Sequence, residues 1–129
     1  MQTATSLKTL AVRYIEAAGD KNYDAVREVL APDVEFRGPF ATMHGPAAFI
    51  AALKRMAPVW VRSTIRDVLA DEDKTAVFYD FVTDTEAGNV PCIELLTFAG
   101  DRIKAVDLFF DRQAFAPASQ ALAARTATK

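Results

Sequence analysis

The chain has 129 residues, of which 51% are hydrophobic, and a formal net charge of −2. A chain of this length builds one domain with its own core, so we treat residues 1–129 as a single unit. Balanced charge argues against nucleic acid as a partner, because a clustered basic face normally meets the phosphates. No apolar run approaches the roughly 20 residues of a spanning helix. The polar start MQTATS is not a signal peptide, so we expect a cytoplasmic protein that contacts no membrane.

Cysteine and histidine each occur once, as Cys92 and His44. One cysteine excludes an intrachain disulfide, and one Cys with one His cannot supply the usual ligand set of a zinc site. The sequence shows no phosphate-cradling glycine loop or dinucleotide fingerprint. We therefore expect neither a metal nor a cofactor.

Apolar residues at three- and four-residue steps predict three helices in the first half of the chain. Gly19 ends the first, Pro32 lies beyond the second, and Gly45-Pro46 opens the third. Between the second and third helices, Val34 and Phe36 alternate with polar residues as in a half-buried strand. The predicted helices run from Thr3 to Ala18, from Tyr23 to Leu30 and from Gly45 to Pro58.

Beyond Pro58 the apolar period changes to two, which predicts strands. The short joins DEDK, TEAGN and AGD favour hairpins, so neighbouring strands should be antiparallel. The alanine-rich segment after Asp111 is compatible with a short helix or with partial disorder. Helices packed on a curved antiparallel or mixed sheet give an α+β cone with an apolar interior. The four predicted strands run from Trp60 to Ala70, Thr75 to Asp84, Val90 to Phe98 and Arg102 to Asp111.

Three segments resemble the nuclear transport factor 2-like superfamily, which includes SnoaL-like polyketide cyclases and ketosteroid isomerases. They are RYIEAAGDKNYDAVREVLAPDVEFRGP at 13–39, HGPAAFIAAL at 44–53 and CIELLTFAGDRIKAVDLFFD at 92–111. The resemblance covers about residues 7–111, leaves 112–129 as a tail, and implies a cystatin-like α+β barrel. It does not specify a reaction, because one fold hosts many functions.

Similarity to the ketosteroid isomerases implies three site positions. Tyr14 falls where those enzymes carry a tyrosine on the first helix, and Glu94 falls where they carry a protonated acid on a later strand. Their aspartate base precedes a proline after the first strand, but here Gly38 precedes Pro39. The resemblance therefore implies two hydrogen-bond donors for a developing oxyanion and no base, so conventional ketosteroid isomerase activity is not expected.

Each donor also has a structural interpretation. Glu94 lies among apolar neighbours on a strand and either faces the cavity or pairs with Arg62 or Arg66. Tyr14 lies on the apolar face of its helix and either lines the cavity or is an ordinary core tyrosine. The sequence leaves both alternatives open.

A catalytic interpretation needs another base, and His44 is the first candidate because its ordinary pKa lies near neutrality. It equally well orders the turn before the third helix. The acids Asp80, Asp107 and Asp111 are also candidates. Asp80 points away if Tyr79 and Phe81 line the cavity, and the family resemblance places the neighbours of Asp107 inward. Asp111 lies at a strand end, where an exposed cap is expected. Aromatic residues and one glycine are candidates to line a cavity or simply to form core: Phe36, Gly38, Phe40, Trp60, Tyr79, Phe81, Phe98 and Phe110.

Two functions remain as alternatives. One is an isomerase- or cyclase-type enzyme that moves a proton on a small hydrophobic carbonyl compound, with Tyr14, Glu94 and His44 as catalytic residues. The other is a non-catalytic ligand-binding or dimerisation module, favoured by Gly38 in place of the base. Apolar residues on both faces of the last strand, such as Phe109 and Phe110, predict a homodimer, because one helix layer cannot cover both faces.

Overall fold

A computed structural model describes residues 3–127, so the two residues at each end of the predicted domain lie outside the described range. The helices are α1 Ala4–Gly19, α2 Tyr23–Val29, α3 Pro46–Met56 and α4 Arg112–Ala127, with a short 3-10 turn at Ala57–Val59. The strands are β1 Leu30–Arg37, β2 Thr42–His44, β3 Trp60–Asp71, β4 Lys74–Thr83, β5 Asn89–Ala99 and β6 Arg102–Phe110.

The described strands form one sheet in the order β2-β1-β6-β5-β4-β3. Strands β3 to β6 make an antiparallel meander, whereas β1 pairs with β6 in parallel. The predicted α+β class and curved mixed sheet are confirmed. The sheet is open, because β2 and β3 at its two edges do not pair with each other.

One boundary and one strand differ from the predictions for local reasons. Leu30 is predicted to end α2, but its extended backbone begins β1. The strand β2 is absent from the predictions, and it pairs antiparallel with β1 through Glu35 and His44, Phe36 and Met43, and Arg37 and Thr42. A strand of three residues is too short to show an alternation of its own.

The segment after Asp111 forms the helix α4, the first of the two alternatives left open by the sequence. Its residues Phe115 and Ala118 are buried, and Phe115 packs its ring against Phe40, Phe81 and Phe110. Burial of this aromatic ring stabilises a helix that has little amphipathic pattern of its own. The tail thus closes one end of the concave face of the sheet.

Helix α1 packs across the concave face because its buried residues recur at three- and four-residue steps: Leu7, Ala11, Tyr14 and Ala18. Thr3 caps its first turn by accepting a hydrogen bond from the backbone N of Ser6 at 3.0 Å. At its other end, a Cβ on Gly19 would lie 2.7 Å from the backbone N of Ser63 in β3. Glycine therefore permits the close helix-to-strand approach that carries Tyr14 over the sheet.

Candidate active site

A cavity of about 210 Å³ lies between the concave face of the sheet and the helices. Its walls come from α1, α3, α4 and all six described strands, so it exists only in the assembled fold. The lining consists of Tyr14, Phe36, Gly38, Pro39, Phe40, Ala41, Met43, Phe49, Ala52, Leu53, Arg55, Met56, Trp60, Tyr79, Phe81, Cys92, Glu94, Leu108, Phe110 and Phe115.

Three buried polar side chains in this lining form one hydrogen-bonded group. The Tyr14 hydroxyl donates to Oε1 of Glu94 at 2.9 Å, and the Tyr79 hydroxyl donates to Oε2 at 2.5 Å. Glu94 is 5% exposed, and each tyrosine is 2% exposed. We call these three residues the carboxyl trio.

Strand pairing explains how the trio comes together. Glu94 on β5 pairs with Val77 of β4, and Tyr79 lies two residues beyond Val77 on the same face. Diagonal neighbours on one face of an antiparallel pair are within reach of a long aromatic side chain. Tyr14 approaches from α1, 80 positions earlier in the chain, and completes the group.

The alternative of an ion pair for Glu94 is excluded by the same geometry. Arg66 instead pairs with Asp80 at 3.5 Å on the outer face of the sheet. Asp80 alternates with Tyr79 and Phe81, which both line the cavity, so its side chain must point the other way. Asp107 likewise lies outside the cavity, where Arg37 Nε donates to it at 2.6 Å.

Burial controls the protonation of the trio. Desolvation raises the pKa of Glu94, and the two tyrosine hydrogen bonds oppose that rise only in part. Desolvation and then the nearby Glu94 raise the pKa of both Tyr14 and Tyr79 well above the ordinary tyrosine value. The trio therefore favours its protonated forms.

Proton counting shows what this arrangement can do chemically. With Glu94 ionised, the trio holds two protons, and both are used in hydrogen bonds to the carboxylate. With Glu94 neutral, the trio holds three protons for the same two internal bonds. One O–H is then left to donate to an oxygen of a ligand in the cavity.

The pKa of Glu94 predicts how stability depends on pH. The folded protein keeps the Glu94 proton at pH values where the unfolded chain releases it, around the ordinary value of 4.5. The contribution of Glu94 is therefore fully present below that value and is lost as pH rises through the raised folded pKa.

The Glu94→Gln variant lacks this titration. The unfolding free energy of the variant minus that of wild type should therefore rise between pH 4 and pH 8. The expected rise is about 1.4 kcal/mol for each pH unit by which folding raises the pKa. Urea unfolding at both pH values measures it, with the exposed Glu28→Gln as control. A relative loss at pH 8 would contradict the direction of the shift.

The structure brings most of the predicted site residues to the cavity. Tyr14 and Glu94 are hydrogen-bonded to each other in the lining. Of the predicted ligand-binding positions, Phe98 is the exception, because it is buried in the core and does not line the cavity. The others do line it: Phe36, Gly38, Phe40, Trp60, Tyr79, Phe81 and Phe110.

His44 lies outside the cavity lining. Met43 faces the cavity, and since successive strand residues point to opposite faces, His44 points away. Its side chain is 74% exposed, and its Nδ1 lies 3.7 Å from the Glu35 carboxylate. His44 is therefore not positioned to take a proton from a ligand in the cavity.

Gly38 lines the cavity, but a neighbouring ring occupies the space where its side chain would project. A Cβ there would lie 2.9 Å from Cε1 and 3.2 Å from Cζ of Phe36. Phe36 is in turn packed edge-on against Phe49, with ring centroids 5.3 Å apart. An aromatic wall thus stands where the isomerase resemblance implies a base.

Sequence reasoning missed several lining residues and one hydrogen bond. The sequence alone assigns Tyr79 only to the aromatic lining, although counting pairs outward from the TEAGN hairpin places it diagonally from Glu94. Arg55 was not considered, although it falls on α3 next to Met56, which also lines the cavity. Phe115 could not be found, because the tail had no assigned conformation.

Neither a metal site nor a membrane-crossing helix is found in the described part of the chain. Among residues 3–127, no three side chains of His, Cys, Asp or Glu are grouped so that they could hold a metal ion. No helix within that range has both the length and the apolarity needed to cross a membrane. The chemistry available at the cavity is that of the trio, the buried Cys92 and Arg55.

The cavity and the open curved sheet have counterparts in known proteins. The SnoaL-like domain family matches residues 11–106. The chain therefore belongs to this family. Among proteins with curated functions, none matches the sequence significantly.

Solved structures agree on the fold. A protein of known function from Kribbella flavida DSM 17836 is 25% identical with a TM-score of 0.80, over 91% of this chain and 96% of that chain. A nuclear transport factor 2-like protein of unknown function from Cytophaga hutchinsonii ATCC 33406 is 15% identical with a TM-score of 0.74, and the match covers 90% of this chain and 99% of that chain. A second Kribbella flavida protein, provisionally described as a ketosteroid isomerase, is 18% identical with a TM-score of 0.74, and the match covers 84% of this chain and 79% of that chain.

Proposed function

We propose that the protein binds a small apolar carbonyl compound in the cavity and promotes a proton transfer of the isomerase or cyclase type. The observation that carries this proposal is a buried carboxyl held by two tyrosines at an apolar cavity. In its neutral form the trio has one O–H to direct at a carbonyl oxygen, where it stabilises the charge that develops on enolisation.

Glu94 acts as the general acid in this proposal. Its proton passes to the carbonyl oxygen while a C–H proton next to that carbonyl leaves to water at the cavity mouth, which gives the enol. Solvent then returns a proton to Glu94. The cavity lining supplies no second carboxyl or histidine to take the carbon-bound proton, so rates should be modest.

Hydrogen–deuterium exchange tests the proposal without knowledge of the natural substrate. A panel of small cyclic and aryl ketones is incubated in D₂O, and NMR follows exchange at the carbon next to the carbonyl. Wild type should accelerate exchange for at least one ketone, and both Tyr14→Phe and Glu94→Gln should reduce the acceleration. Absence of acceleration across ketones that bind would refute the proton transfer.

The alternative is a binding module of the same fold, and one observation favours it. His44 lies outside the cavity and Gly38 carries no side chain, so the lining lacks a dedicated base. Under this alternative, ketones bind and perturb Trp60, the single tryptophan and a lining residue, but undergo no catalysed exchange.

We also propose that the protein forms a homodimer through the outer face of the sheet. Phe109 and Ile93 pair in register on that face and are 57% and 38% exposed, with Phe78 opposite Ile93 on the next strand. All of the described helices that border the cavity pack on the opposite face. This row of apolar side chains, Phe109, Ile93 and Phe78, can pack against the same row of a second copy of the chain across a two-fold axis.

Light scattering at micromolar concentration should give about twice the 14.1 kDa chain mass. Phe109→Glu should give the monomer mass, because it places a charge in the apolar contact. Phe40→Glu, which changes an exposed phenylalanine at the cavity, is the matched control and should remain dimeric. A wild-type monomer would refute the dimer.

A further inference from the structure

Only two residues in the cavity lining carry a carboxyl or a basic group. Glu94 is buried within the trio, whereas Arg55 is exposed to solvent. The rest of the lining is apolar, apart from Tyr14, Tyr79 and the buried Cys92, whose pKa desolvation raises to about 12. A ligand in the cavity can therefore contact two such side chains, the buried acid Glu94 and the exposed Arg55.

Helical spacing places Arg55 at this position. Ala52 and Met56 of α3 line the cavity, and Arg55, three residues after Ala52 on the last turn, lies at the edge of the same helix face. An arginine here buries its aliphatic stem along apolar surface and keeps its charged group in water. Its neighbour Lys54 lies instead over the ring of Tyr23, 5.3 Å from the centroid, and does not line the cavity.

No ion pair engages Arg55 within the described residues, whereas Arg37 and Arg66 each pair with an acid. A second positive group lies close to the same lining, since the Arg112 guanidinium stacks over the Phe40 ring at 5.2 Å. The carboxylate adjacent in sequence, Asp111, accepts the backbone N–H of Gln113 at 2.9 Å. The Arg55 guanidinium is therefore available to an anionic group of a ligand at the edge of the cavity.

Cavity size restricts what can bind. An engineered apolar cavity of about 150 Å³ holds a benzene molecule, so about 210 Å³ holds a substituted ring or a small bicyclic compound. A four-ring steroid exceeds this volume. The body of the ligand must therefore be short enough for its two ends to reach the trio and Arg55 together.

We propose that the ligands are small cyclic or aromatic keto acids, whose carbonyl oxygen binds the carboxyl trio and whose carboxylate binds Arg55. The guanidinium recognises a carboxylate with paired, charge-assisted N–H donors. The opposite orientation would bury the ligand carboxylate in the largely apolar interior, so it is disfavoured by loss of hydration of that charge. This inference rests on the proposed function, because it names the substrate class of the same site.

Two probes of matched size test the inference: 4-acetylbenzoate and its neutral amide, 4-acetylbenzamide. Binding is followed by the fluorescence of Trp60, which lines the cavity. Wild type should bind the acid about 10-fold more tightly than the amide, and the preference should shrink as salt is added. Arg55→Gln should abolish the preference by weakening the binding of 4-acetylbenzoate without changing the binding of the amide. Lys54→Gln, with the same charge change on the same helix turn, should keep it.

The outcomes separate this inference from the proposed function. Equal binding of acid and amide by wild type, or a preference that survives Arg55→Gln, overturns the role of Arg55. Acetophenone, which lacks the acid and amide groups, is a third probe. If it and the amide still bind and exchange in a Glu94-dependent way, the proposed function stands without a role for Arg55. Failure of all three compounds to bind overturns both. An Arg55→Glu variant that prefers the amide would add support, with circular dichroism confirming that each variant is folded.

Discussion

Glu94→Gln is expected to slow ketone exchange by about 100-fold or more, the lower range of what one acid–base group contributes to a rate. Glutamine keeps the size of the side chain and can donate a hydrogen bond, but it has no proton to transfer. Ketone binding should therefore change by less than about 10-fold while exchange is lost. NMR exchange rates and Trp60 fluorescence titration measure the two effects separately.

The tyrosines should show smaller, graded effects. Tyr14→Phe and Tyr79→Phe each remove one of the two hydrogen bonds to Glu94 and leave the acid in place. A loss of about 10-fold from each corresponds to about 1.4 kcal/mol, within the range of a hydrogen bond between neutral groups. Asp80→Asn is the matched control, because Asp80 adjoins Tyr79 but pairs with Arg66 on the outer face. Its exchange rate should equal that of wild type.

Exchange unaffected by Glu94→Gln would show that the trio is a structural group and that protons move elsewhere. Exchange lost together with binding would show that glutamine disturbs the cavity itself. Only loss of exchange with retained binding supports Glu94 as the general acid.

Adding a base at position 38 is expected to have the second large effect. Gly38→Asp combined with Phe36→Leu should raise ketone exchange by about 10²- to 10⁴-fold over wild type. Gly38 lines the cavity, so an aspartate there would be close to a bound ligand. Leucine lacks the ring atoms Cε1 and Cζ of Phe36 that a side chain at position 38 would meet.

Gly38→Asp alone should give a much smaller gain, because the Phe36 ring, held against Phe49, must move first. Gly38→Asn in the Phe36→Leu background is the control, since it has the same size without a basic carboxylate. Equal rates for the Asp and Asn double variants would show that position 38 does not reach the reacting carbon. Equal rates for the single and double Asp variants would show that the ring is no obstacle.

Much of the fold followed from periodicity. Three- and four-residue spacing located α1, α2 and α3, and the change to a period of two located β3 to β6 within a few residues. These patterns are readable because burial of one face is a local requirement of each element. The pairing of β1 with β6 joins residues about 70 positions apart, such as Arg37 and Asp107, and has no local signature.

The site was predictable only in part. Tyr14 and Glu94 were found through family resemblance and the unusual position of an acid among apolar residues. His44 was preferred as a base from its ordinary pKa, and the inward turn of Met43 on the unpredicted strand β2 directs it away. Arg55 lies on a helix surface that looks ordinary in sequence, and only the packing of α3 over the sheet brings it to the cavity.

From residues alone come the α+β class, the order of α1 to α3 and of β3 to β6, and the absence of a side chain at Gly38. Assembly of the fold adds the Tyr14–Glu94–Tyr79 group, the ring that blocks position 38, and the separation of a buried acid from an exposed arginine. The division has a physical cause. Periodic burial acts over a few neighbouring residues, whereas hydrogen bonds, cavity volume and desolvation arise between segments that only the packed structure brings together.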